Sequence, residues 1–102
     1  MITEKQFNDA FTTAGGKFIA NNFEFVSDNI NKSTAEMISV LYLLGYDSKV
    51  SGTKARIFAM RRLLKEDQGI KVLNRIAKST RIDQNAVELA QKILKNRFGI
   101  SM

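Results

Sequence analysis

Phe7, Ala10, Phe11 and Ala14 recur at three- and four-residue spacings, which lines them along one face of a helix. Thr3 and Gln6 have the spacing of a capping box ahead of that face, and Gly15-Gly16 is a natural stop after it. Residues 17–28 admit two readings. Phe18, Ile19, Phe23 and Val26 would share a helical face, whereas Asn21-Asn22 could turn a small hairpin between residues 17–20 and 23–26. Helix is the reading adopted. Ser33 or Thr34 can cap the next helix, with Glu36 at box distance from Ser33, and Met37, Val40, Leu41 and Leu44 form its stripe. Ile38 and Leu43 widen that stripe, so this helix is expected at the centre of the molecule, ending at Gly45.

Residues 46–50 then read as an exposed linker, and Ser51 as the cap of a helix over about 53–66. The chain turns near Gln68-Gly69, after which Ile70, Leu73, Ile76 and Ala77 make a further stripe. Asp83 is the expected N-cap of the last helix. Ile82 and Val87 flank it at hydrophobic-staple spacing, and Ala86, Leu89, Ala90, Ile93 and Leu94 form its apolar face. Lys92, Lys95 and Arg97 near its end suit the helix dipole. The pattern predicts an all-α fold, one compact domain over residues 1–102 built from about five short helices, with a small hairpin near 17–26 as the alternative.

Composition agrees with a globular domain: 44% of the 102 residues are hydrophobic, 25% charged and 9% aromatic, enough large apolar side chains for a core. The longest apolar run, 38–44, is broken by Ser39 and falls far short of the roughly 20 residues that cross a bilayer. The first residues lack the basic patch and apolar run of a secretory leader, so a cytoplasmic location without membrane partners is expected. Cysteine and histidine are both absent, which excludes disulfides, Cys/His zinc sites, thiolate nucleophiles and imidazole catalysis. The tightest acidic pair, Glu66-Asp67, reads as a solvated helix end, and no GxxxxGK[ST] or GxGxxG phosphate loop occurs. The expectation is a protein that is not an enzyme and uses no cofactor or metal.

Charge is what changes the picture. Residues 1–48 carry three Lys against six Asp or Glu, a net of −3, while residues 49–102 carry thirteen Lys or Arg against four acids, a net of +9. The whole formal excess of +6 lies in the second half, which suggests a surface for a polyanion. On a helical wheel, Ile57, Met60, Leu63 and Leu64 share one arc, and Lys54, Phe58, Arg61, Arg62 and Lys65 share the other. Phe58 among four cations has two readings. It packs against a neighbouring helix while the cations snorkel round it, or it is a ring offered for stacking or wedging on a phosphate-binding face. Lys71, Arg75 and Lys78 continue the basic stripe at i, i+4, i+7 on the following helix, with few acids to pair them.

Residues 33–66 resemble the SAP-type helix-extension-helix motif, through Leu44-Gly45-Tyr46, then the run from Val50, Ser51, Gly52, Thr53 and Lys54 to Phe58, and Arg61-Arg62-Leu63-Leu64. The resemblance covers about a third of the chain. Its linker after Gly45 is longer than the family's, and the arginine near the end of the second helix is displaced, which leaves Arg61 and Arg62 as alternatives. Members of that family are helical modules that mostly bind DNA through the turn and the start of the second helix. The resemblance therefore implies Ser51, Gly52, Thr53, Lys54 and Arg61 or Arg62 at the phosphates. The candidate contact set is completed by Lys49, Phe58 and Lys65, and by Lys71, Arg75 and Lys78 on the next helix. The leading expectation is a nucleic-acid-binding protein, DNA ahead of RNA. The alternative is a helical regulator or inhibitor that docks an acidic protein surface. A third arrangement joins the acidic half of one copy to the basic half of another, as a homo-oligomer.

Overall fold

Thr3 starts the first helix through a complete capping box: its Oγ1 accepts from the Gln6 N–H at 3.1 Å, and Gln6 Oε1 accepts from the Thr3 N–H at 2.9 Å. The computed structural model describes residues 2–43 and 50–101, apart from the side chains of 41–43 and 50–53. Within them lie six helices: α1 (Glu4–Ala14), α2 (Gly16–Asp28), α3 (Thr34–Leu43), α4 (Val50–Lys65), α5 (Gly69–Ala77) and α6 (Gln84–Phe98). No strand occurs among the described residues, so residues 17–28 take the helical alternative and the helix count is six rather than about five.

A single residue joins α1 to α2. Gly15, at φ 83° and ψ 137°, donates to the Phe11 carbonyl at 2.8 Å and accepts from the Ile19 N–H at 3.0 Å, closing one helix and opening the next. That conformation suits only glycine. Gly16 next to it leaves room for Ile82, because a Cβ there would overlap Ile82 Cδ1 and lie 3.2 Å from its Cγ1.

The core sits round α2, which packs against α1, α4, α5 and α6 and buries Phe18, Ile19, Ala20, Phe23 and Val26. Its buried polar residue, Asn22, is satisfied by donating from Nδ2 to the Phe18 carbonyl at 2.9 Å. Centrality was expected of α3, and its described side chains do not show it, those of Leu41, Leu43 and Leu44 lying outside the described residues. Met37 is buried, but Ile38 is half-buried, Val40 is 43% exposed, and α4 is its main packing partner. Ser33 caps α3, its Oγ accepting from the Glu36 N–H at 3.2 Å.

The first turn of α4 begins at Val50, so Ser51 and Gly52 lie inside the helix rather than ahead of it, and Ser51 is not its cap. The expected stop at Gly45 and residues 46–49 of the expected 46–50 linker lie outside the described residues, while Val50 belongs to α4 and not to a linker. The α4–α5 turn is closed by Asp67 at φ 63°, not by Gly69: the Gln68 N–H returns to the Leu63 carbonyl at 2.9 Å and the Asp67 N–H to the Leu64 carbonyl at 3.1 Å. Gly69 instead lets Phe23 come close, since a Cβ on it would lie 3.2 Å from Phe23 Cζ. Asp83 caps α6 by accepting from the Asn85 N–H at 2.9 Å. The radius of gyration, 12.9 Å, is that of one close-packed domain of this length.

Candidate nucleic-acid interface

The apolar arc of α4 faces the core as its spacing predicts. Ile57, Met60 and Leu63 are all buried, which turns the opposite side of the helix outward. Lys54, Phe58, Arg62 and Lys65 follow one another at four-, four- and three-residue steps on that outward side, and all four are exposed. At 1.5 Å per residue the row runs for about 16 Å. Phe58 is 52% exposed, so it is not buried against a neighbouring helix. The Lys54 ammonium stands 5.8 Å from its centroid, at cation–π range. Phe58, Arg61, Arg62, Lys65 and Glu66 line a shallow depression of about 350 Å³. Glu66, which the sequence suggests is a plain helix end, therefore belongs to the wall of this hollow.

Arg61 and Arg62, equivalent on sequence grounds, have different surroundings. Arg62 is exposed, and its guanidinium has no ion pair or hydrogen bond among the described residues. Arg61 is half-buried and turned onto the α2–α3 connection. One terminal nitrogen donates to Thr34 Oγ1 at 2.6 Å and the other to the Ile30 carbonyl at 3.3 Å. Its Nε is buried without a hydrogen-bond partner among the described residues. Arg61 thus ties α4 to the preceding turn and lends the depression a fixed positive wall.

The α5 cations are largely used within the molecule. Lys71 pairs with Glu4 at 2.8 Å and lies 4.2 Å above the Phe7 ring. Arg75 donates to Asn8 Oδ1, and its guanidinium carbon sits 4.6 Å above Phe11. The two rings, stacked at 6.2 Å, form a ledge on α1 over which both cations lie. Lys78, at the C-cap of α5, is exposed and has no ion pair among the described residues. Arg97 pairs with Asp28 at 2.8 Å in the same sense as Lys71 with Glu4, a cation of the second half on an acid of the first, while Lys17 with Asp83 at 3.9 Å runs the opposite way. Part of the sequence's charge division is thus compensated by folding, whereas Lys54, Arg62 and Lys65 on α4, like Lys78, keep no acidic partner among the described residues.

Ser51, Gly52 and Thr53 occupy the first turn of α4, where backbone amides have no intrahelical acceptor. Lys49 lies outside the described residues. Arg81, exposed in the turn before α6, adds a cation that no periodicity singled out. Among the described residues, no group of acidic side chains could hold a metal ion. No helix there is long and apolar enough to cross a membrane. Compared with known protein families, curated proteins and solved structures, the chain matches none.

Proposed function

We propose that the protein binds nucleic acid through the outward face of α4, with Lys54, Arg62 and Lys65 on backbone phosphates and Phe58 between them. The observation that carries this reading is a row of exposed cations without acidic partners among the described residues, interrupted by a ring that is 52% accessible. Surface helices commonly interleave Glu with Lys. This one runs from Lys54 to Lys65 without an acidic residue. An unpaired stripe of this kind attracts a polyanion over a distance and gains affinity by releasing its condensed counterions.

Fluorescence anisotropy across a salt series tests the reading. Three phosphate contacts imply a slope of log K against log salt of about −3 on duplex DNA. Arg62→Ala should make the slope shallower by about 1. A slope near zero, or no binding at low salt, refutes nucleic-acid binding and leaves the acidic protein surface as the partner.

A further inference from the structure

We infer that the α4 depression is a stacking platform for an unpaired base, so that the ligand is a single-stranded polynucleotide rather than a duplex. This rests on the reading of the same face as a phosphate surface. A half-exposed phenylalanine costs the folded protein the hydration of its ring, a cost that burial against another flat apolar surface removes. Phe58 is placed for such a contact with Lys54 one turn before it and Arg62 and Lys65 one and two turns after it. A strand following that row would have phosphates held on either side of the ring and a base free to lie on it.

A duplex does not offer that contact. Its base faces are covered by their neighbours, and a ring reaches them only by prising a step apart. In the major groove it meets base edges, which are read by hydrogen-bonding side chains. Between Lys54 and Lys65 there is no Asn, Gln, Ser, Thr, Asp or Glu, so the groups on this face able to read an edge are the same arginines and lysines that the proposed row places on phosphates. Stacking needs no such group and tolerates any base. Arg61, anchored on Thr34 and Ile30, keeps the wall of the hollow in place beside the ring.

The test compares three fluorescent probes of equal length: oligothymidylate, an abasic deoxyribose-phosphate strand, and a DNA duplex. The wild-type protein should bind oligothymidylate roughly tenfold more tightly than the abasic strand, the gain expected from one stacked base. Phe58→Ala should lose that gain, so that its affinities for oligothymidylate and for the abasic strand become equal. Phe58→Trp should keep or increase it. Far-UV circular dichroism checks that both variants fold, which the exposure of the ring favours. Equal wild-type affinity for all three probes overturns the stacking platform but leaves phosphate binding intact. No binding to any probe at low salt overturns both. Competition by polyglutamate as strong as by unlabelled oligothymidylate also overturns the platform and points to an acidic protein surface.

Discussion

Replacing Arg61 by alanine should destabilise the fold by about 1–2 kcal/mol, whereas the same change at Arg62 should stay within about 0.5 kcal/mol. Arg61 makes two hydrogen bonds from a charged, half-buried group, to Thr34 Oγ1 at 2.6 Å and to the Ile30 carbonyl at 3.3 Å. Such bonds contribute about 1.5–3 kcal/mol when short, and the longer one belongs at or below the weak end, so together they supply about 3–4 kcal/mol. Against this stands the buried Nε with no partner, whose desolvation costs about 1–3 kcal/mol and which alanine removes. Thr34 and Ile30 turn to water once the arginine is gone, so no unsatisfied group is left behind. For a domain of this size, 1–2 kcal/mol lowers the melting temperature by roughly 4–16 °C. Urea and thermal melts followed by far-UV circular dichroism measure both variants, and Arg61→Lys adds a control, since a single ammonium cannot reproduce the fork. If Arg61→Ala and Arg62→Ala unfold at the same urea midpoint, the assignment of Arg61 to the α2–α3 turn is wrong.

Leu63→Ala should cost roughly 2–5 kcal/mol, because the side chain is buried in the core, while the protein that remains folded keeps its affinity for nucleic acid; a melt indistinguishable from wild type would remove Leu63 from the core. Gly15→Ala should cost about 1–3 kcal/mol although a Cβ there meets nothing within 4 Å, because the penalty lies in the backbone at φ 83°. An unchanged urea midpoint would show that the α1–α2 joint tolerates an ordinary residue.

Both outer helices were legible from the chain, because their signals are local. Thr3 with Gln6 and Asp83 with Asn85 carry their caps within three residues, and the apolar faces of α1 and α6 are simple stripes. Neither α2 nor α3 could be placed so easily. As α2 meets four helices, its apolar positions spread round the wheel and its amphipathic pattern blurs, while Asn22 imitates a turn residue although its amide is satisfied within the helix. The almost continuous apolar run of α3 says nothing about how many neighbours surround it. At the candidate site, spacing alone turned Lys54, Arg62 and Lys65 outward but left Phe58 open between packing on a neighbouring helix and exposure. It could not divide Arg61 from Arg62, because the deciding partners, Ile30 and Thr34, lie 31 and 27 residues away. Nor could it show that Lys71 and Arg75 lie over the rings of α1, across 67 residues of chain.

The packing of α1 on α4 and of α2 on α6 has a consequence for synthesis on the ribosome. As the chain emerges, its first two helices have only each other: α1 must wait for residues 50–65 to meet its main partner, and Phe18, Ile19 and Phe23 remain without their full cover until α6 has been made. Contacts this distant in sequence form late, since closing the intervening loop costs entropy before any burial repays it. The nascent segment therefore carries incompletely covered aromatic side chains until residues 84–98 have been made and α6 can close over α2.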